Sequence, residues 1–294
     1  MYECFLEIAF EAELKNTHED PECLALAFEQ CNENPVTRDA SIRELRDMIY
    51  ERGECEPHRT DDAFLLRFLR ARDFIVPRAH KLLVRYCNFR AEYPHLYKNV
   101  DLWGLTKVKD IYEGSMLDRP DVGRLTIFRF GTWNPSELPI EDLVRVGLAM
   151  AEIGIRQPKL QVLGGFVILD MEGFSLQHIA TLTPTIAYQM VCLLGVATPG
   201  RLQGCHIINY NWLLNSFFYI FKRFIPQQAW GRIFFHGHDL KSLHQHIDPE
   251  CLPKRYGGTC RNHVSIGQWF QKIKKYRDEQ FDKEMKDLGY LVKE

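Results

Sequence analysis

Residues 236–246 read HGHDLKSLHQH and gather His236, His238, His244 and His246 around Asp239, side chains of the types that bind zinc or move protons. A His-x-His pair without further ligands at fixed spacing is a weak metal signal, so no metal site is expected. The nine cysteines are odd in number and include no C-x-x-C pair. They fit free thiols in a reducing compartment better than a disulfide framework or a zinc site. GFSLQ at 173–177 lacks the second glycine of a nucleophile elbow, and neither a P-loop nor a dinucleotide fingerprint occurs. These residues predict a protein that is not an enzyme and needs no cofactor.

The more informative residues are apolar. NWLLNSFFYIFKRFIP, residues 211–226, leaves almost no polar face in a chain with 26% charged residues. It is too short to span a bilayer, which takes roughly 18 to 20 apolar residues, because Asn215 and Ser216 interrupt it, Lys222 and Arg223 follow and Pro226 ends it. From Gly173 to His238 there is no Asp or Glu, although the chain holds 39 of them; the charges there are Arg201, Lys222, Arg223 and Arg232. A buried parallel sheet explains apolar strands. It does not explain helices without a charged outer face, and a surface that meets apolar material and anionic head groups does.

These residues need elements to hold them. The 294 residues suffice for a substantial core, and a net charge of −2 steers the chain to neither nucleic acid nor membrane as a whole. The start, MYECFLEIAFEAELKN, carries Glu3, Glu7, Glu11 and Glu13 and lacks the basic beginning and unbroken apolar run of a signal peptide, so a cytosolic protein is expected. Residues 22–96 read as helices. SIRELRDMIYERG has Ser41 and Glu44 in capping-box spacing and Gly53 as a stop. TDDAFLLRFLRARDF offers Thr60 or Asp61 as a cap, with Phe64, Leu65, Phe68 and Leu69 facing a core and Arg67, Arg70 and Arg72 left for the other sides. VPRAHKLLVRYCNFRAEYP follows, closed by Pro94. Beyond about Asp101, GRLTIFRFG, GGFVILDMEG, GCHIINY and RIFFHG read as strands separated by helical stretches, which argues a β-α-β sheet covered by helices.

DDAFLLRFLRARDF, GGFVILDMEGFSLQH, HIIN, RIFFHGHDLKSLHQHI and PECLPKRYGGT, in that order over about residues 22 to 275, resemble the CRAL-TRIO, or Sec14-like, lipid-binding family, in the branch of tocopherol and retinaldehyde carriers and clavesins. The resemblance implies an α/β protein with an all-helical N-terminal domain (1–97), a Sec14-like lipid-binding domain (98–275) and a C-terminal helical tail (276–294). The tail's mixed-charge KKYRDEQFDKEMKD reads as a solvated cap. A mobile gate helix, falling at 211–226, would cover a hydrophobic cavity. Alignment would line that cavity with Val144, Leu148 and Ala151, with Val167 and Leu169, and with Phe174, Leu182, Met190, Leu193 and Leu194. Leu202, Cys205, Phe217 and Phe221 would close it.

The implied function is a soluble intracellular carrier that moves one small hydrophobic molecule, tocopherol-, retinoid- or other isoprenoid-like, between membranes. Its partners would be that lipid and an anionic, phosphoinositide-containing membrane surface, met transiently by a cytoplasmic monomer. No nucleic acid is expected. The alternative is a phosphoinositide-binding trafficking or scaffold protein of clavesin type whose cavity is mainly structural. Head-group binding would rest on Arg72, Arg201, Lys222, Arg223 and Arg232. Where the tocopherol carrier has two serines this chain has Gly147 and Ala151, and where phosphatidylinositol-transferring relatives have a Glu it has Gly200. The first change implies a larger, drier cavity for a less polar cargo, and the second argues against phosphatidylinositol as the internal cargo. Gln203, Gln228 and Trp230 stand at positions that are basic in the tocopherol carrier, so weaker or differently placed head-group binding is expected.

Overall fold

The computed structural model describes residues 14–15, 19–108, 110–115 and 123–293. The acidic positions Glu3 to Glu13 lie outside them.

Four helices open the described chain: α1 (Pro21–Cys31), α2 (Arg38–Arg52), α3 (Asp62–Arg70) and α4 (Val76–Glu92). Asp20 caps α1 by accepting the Cys23 amide at 2.7 Å, and Asp61 caps α3 by accepting that of Phe64 at 3.1 Å. Helix α2 begins at Arg38, so Ser41 falls inside its first turn and not at the cap. Gly53 ends it with φ +57°, a conformation glycine adopts without strain. Leu45, Leu65, Phe68, Leu69, Leu82, Leu83 and Tyr86 form one core between α2, α3 and α4.

Two of the arginines expected on the outer sides of α3 are instead buried. Arg70 is 1% exposed; its guanidinium donates to Glu33 at 2.7 and 3.0 Å, to Gln161 at 2.8 Å and also to Glu19. Arg67 is sunk beside the Phe64 ring and Glu284. Apolar spacing locates a helix's core stripe, but cannot show that a second domain covers its polar side.

The second part alternates strands and helices: β1 (Tyr112–Ser115), β2 (Arg124–Arg129), α5 (Ile140–Gly154), α6 (Pro158–Leu163), β3 (Gly165–Asp170), α7 (Leu176–Thr181), α8 (Pro184–Val191), β4 (Leu202–Ile208), α9 (Leu214–Phe221), β5 (Ile233–Gly237), α10 (Leu240–His244), β6 (His263–Ser265), α11 (Ile266–Tyr276) and α12 (Glu279–Asp287). The strands form one sheet in the order β5-β4-β3-β2-β1-β6. β2 to β5 run parallel, as the four apolar strand segments predict, and β1 lies antiparallel between β2 and β6. The two antiparallel strands β1 and β6 are not expected from the sequence because YEGS and HVS are too short to show an alternation.

Each parallel strand divides its side chains between two faces. Leu125, Ile127, Ile168 and Ile208 pack with Leu243, Ile247, Leu252 and Tyr256 on one of them. The other carries α5, α8 and α9. The C-terminal helix α12 is not the solvated cap expected: it buries Phe281 and Met285 in the same core as Trp103 and turns Glu284 to the buried Arg67 and Arg156. Among the described residues no helix is long and apolar enough to cross a membrane.

Candidate hydrophobic ligand site

On the α5 side of the sheet lies a cavity of about 290 Å³. Its floor is the cavity face of the strands: Arg124, Thr126 and Phe128 from β2, Val167 and Leu169 from β3, Leu202, Cys205 and Ile207 from β4, and Ile233 from β5. One wall is α5, through Gly147, Met150, Ala151 and Gly154, spaced i, i+3, i+4 and i+7 on one stripe. Another wall is the stretch after α8, where Leu194 leaves helical geometry and Gly195 takes φ +89°. That break turns Met190, Leu193, Leu194 and Val196 toward the hollow.

The roof is α9. Phe217 and Phe221, one turn apart, stack with ring centroids 4.2 Å apart and both line the cavity. Phe217 also meets Phe130 at 5.7 Å and Phe174 at 5.6 Å. The outer side of α9 is not shielded: Tyr219 is 70% exposed and Trp212, just before the helix, 72%. Lys222 lies over the Tyr219 ring and Arg223 over that of Phe224. The 211–226 segment is thus apolar on two sides for two reasons. One side covers the hollow, and the other presents aromatic rings and cations to the surroundings.

Ten of the residues aligned to a ligand line this cavity: Ala151, Val167, Leu169, Met190, Leu193, Leu194, Leu202, Cys205, Phe217 and Phe221. Four do not. Val144 and Leu148, one turn apart on α5, pack with Phe89, Leu96, Cys192 and Ala197 at the edge of the stripe that lines the cavity. Phe174 and Leu182 belong to the core behind the roof, with the Phe174 ring 5.1 Å from that of Phe130. The space expected from glycine at position 147 is also not empty. A β-carbon there would lie 2.8 Å from Leu193 Cδ1, so Leu193 occupies the volume a serine would have needed.

Arg124, Thr126, Gly154 and Arg201 line the cavity and were not read as ligand-lining. The signal was present in RLTIFR, whose alternation puts Arg124, Thr126 and Phe128 on one face. Burial pushes the Arg124 guanidinium down to about 10, and burial likewise lifts the Cys205 thiol to about 12. No Asp or Glu lines the cavity among the described residues.

The residues assigned to head groups fall into two sets. Arg72 lies close enough to Arg201 and Arg232 to feel their charge. Each is already bonded: Arg72 to the Gly195 carbonyl at 2.6 Å, Arg201 to the Arg70 carbonyl at 2.6 Å and to Asp73 at 2.7 Å, and Arg232 to the Leu202 carbonyl at 2.6 Å. Burial first, then Arg85, Arg201 and Arg232, push Arg72 down to about 10, with Asp73 opposing. This cluster ties the N-terminal helices to the cavity rim. Lys222 and Arg223 stand exposed on the turn after α9.

The histidine-rich segment is structural. Asp239 caps α10 through the Lys241 and Ser242 amides, His236 bonds to Ser242 at 2.8 Å and to His206 at 2.9 Å, and His244 bonds to the Tyr256 carbonyl at 2.8 Å. The described cysteines are all free.

Comparison with known proteins adds relatives. The CRAL/TRIO domain matches residues 120–258, and the CRAL/TRIO N-terminal domain matches residues 11–85. Clavesin-1 of Xenopus laevis is 35% identical over 258 residues, 86% of this chain and 77% of its own length. Human Clavesin-2 is 34% identical over 257 residues, 86% of this chain and 78% of its own length. Among solved structures, that of Sfh5 superposes with a TM-score of 0.51 at 14% identity, covering 79% of this chain and 95% of its own, a likeness of fold alone.

Proposed function

Because this chain belongs to the CRAL/TRIO family of lipid-binding proteins, we propose that it is a non-enzymatic carrier that encloses one hydrophobic molecule and exchanges it at membranes. The observation that carries this reading is the apolar cavity of about 290 Å³ roofed by α9. That volume lies at the lower end of the roughly 300 to 1,000 Å³ of small-molecule sites. It suits a single-tailed or isoprenoid-like molecule such as a retinoid or tocopherol better than a two-chain phospholipid. Cargo gains by leaving water for a lining of Leu, Val, Met and Phe side chains.

Exchange proceeds by displacement of α9. Closed, Phe217 and Phe221 cover the cargo; open, the same rings enter the bilayer interface beside Trp212 and Tyr219. Lys222 and Arg223 add attraction to an anionic leaflet, on the order of 1 kcal/mol each. The protein acts as a monomer in the cytoplasm, touches membranes transiently and needs neither cofactor nor nucleic acid.

A second reading is favoured by the basic cluster of Arg72, Arg201 and Arg232 at the cavity rim: a trafficking or scaffold protein for which phosphoinositide recognition is the output and the cavity only structural. Retinol transfer from phosphatidylcholine vesicles to acceptors with and without phosphatidylinositol bisphosphate separates the two. The carrier accelerates transfer in proportion to its concentration, and Ala151→Trp, which fills the cavity, abolishes the acceleration. Phosphoinositide-dependent vesicle binding without transfer overturns the carrier reading in favour of the scaffold.

A further inference from the structure

The cavity has two ends. At one, Phe128 and Leu169 lie on the floor and Phe217 and Phe221 on the roof, all apolar. At the other, the first residue of β2 places the Arg124 guanidinium, with Thr126 two residues on along the same face. Gly154 completes this pole. A β-carbon at Gly154 would stand 3.6 Å from Arg124 Nη1, so a larger side chain there would crowd the space around the guanidinium.

Arg124 is packed around by protein, which lowers its affinity for a proton, yet its side chain keeps accessible surface. The two statements agree when that surface faces the hollow it lines. Its ring partner Trp269 lies 5.8 Å away. A guanidinium has five N–H donors, so it can keep its contacts with the protein and still offer donors to a ligand. Arg201, the other cation of the lining, is held by Asp73. No carboxylate stands among the described lining residues, so an anionic head group at Arg124 would meet no negative charge from them.

Resting on the carrier reading above, we infer that the cargo is a single-tailed amphiphile with an ionised carboxylate, its head group on Arg124 and its tail running along Phe128 and Leu169 to the Phe217–Phe221 roof. A carboxylate receives two parallel hydrogen bonds from a guanidinium as an ion pair, whereas an alcohol or ester of equal length offers a neutral acceptor and no opposite charge. Thr126 stands where it can contact the head group, and the glycine wall admits the head group's width. The tail lies among apolar side chains, where the hydroxyl of Tyr112, near Phe128, is already donated to the Leu143 carbonyl.

The test uses the full chain stripped of lipid and follows tryptophan quenching or calorimetry for two matched series: retinoic acid, methyl retinoate and retinol, and hexadecanoate, methyl hexadecanoate and hexadecanol. The acids are expected to bind about ten- to a hundredfold more tightly than the esters and alcohols, the worth of a charged over a neutral hydrogen bond. Both series giving that ratio assigns the recognition to the carboxylate; one series alone assigns it to that tail class as well. Arg124→Gln should bring the ratio close to one while alcohol binding holds, and Arg124→Lys should restore part of it. If Arg124→Gln does not fold, the wild-type ester comparison decides by itself. Equal binding of acid and ester overturns the carboxylate assignment and leaves the carrier intact. A preference for the acids that persists unchanged in a folded Arg124→Gln protein overturns the role of Arg124. Absence of binding by every member of both series overturns the carrier reading itself.

Discussion

The two faces of the central sheet share their strands and differ in what covers them. On the closed face Ile127 and Ile168 are wholly buried beneath α10 and the 249–256 segment, and buried polar groups there bond to one another, although His206 Nε2 has no hydrogen-bond partner among the described residues. Asp170 accepts from the Tyr256 hydroxyl at 2.8 Å and from Asn209 at 2.9 Å, and His206 bonds to His236. On the hollow face Thr126, Val167 and Leu169 keep accessible surface toward a cavity. Packing to crystal-like density is a choice made on one side and withheld on the other. A face with stability to spare supports a face arranged for a ligand.

Truncating each face gives the sharpest test of that contrast. Ile127→Ala should cost about 2 to 5 kcal/mol in urea unfolding and leave ligand affinity unchanged while the protein is folded. Leu169→Ala, beside space that already exists, should cost less than half as much and weaken ligand binding severalfold. Equal stability losses would break the comparison.

The closed face should also respond to acid. Burial first, then His236 and His246, press His206 down to about 4 from its ordinary 6.5. The unfolded chain therefore takes up a proton before the folded one does, and stability present above pH 6.5 is lost as pH falls toward 4. The loss amounts to about 3 kcal/mol for a single group. Thermal unfolding between pH 7 and 4.5 should show it, and His206→Gln should flatten the slope. An unchanged slope would assign the acid sensitivity elsewhere.

Tyr256→Phe removes one donor from the buried Asp170 carboxylate and should cost roughly 1 to 3 kcal/mol, measured by chemical denaturation. The smallest effect on stability belongs outside the hollow. Trp212→Ser with Tyr219→Ser should change stability by no more than about 0.5 kcal/mol per site and lower partitioning onto anionic vesicles in a flotation assay. A vesicle affinity that does not move would place membrane contact away from α9.

Much of this arrangement was legible before any coordinates. The alternation in GRLTIFRFG, the glycine-bounded GGFVILDMEG and the missing carboxylates between Gly173 and His238 pointed to a parallel sheet with an apolar surface beside it. The ten cavity residues are among those that the family resemblance implies; strand period supports Val167 and Leu169, and the rest lie on helical stretches or on β4, whose pairing with β3 shifts register. Val144 and Leu148 stand outside the lining because they sit at the edge of the α5 stripe, where the cluster around Phe89 covers them. Arg70 and Arg67 looked solvated because their partners, Glu33, Gln161 and Glu284, come from elsewhere in the chain. Arg124 was overlooked since a cation at the start of a strand reads as a loop-edge charge until the cavity beside it is seen.

The central claim, that the hollow face holds one molecule, is tested most directly by native mass spectrometry of the purified full chain with organic extraction of whatever it retains. The account predicts one apolar adduct per chain, displaced by added retinoid and absent from an Ala151→Trp protein whose circular dichroism matches wild type. A wild-type chain that flies empty and takes up no added hydrophobe, or an adduct that persists unchanged in Ala151→Trp, would contradict it.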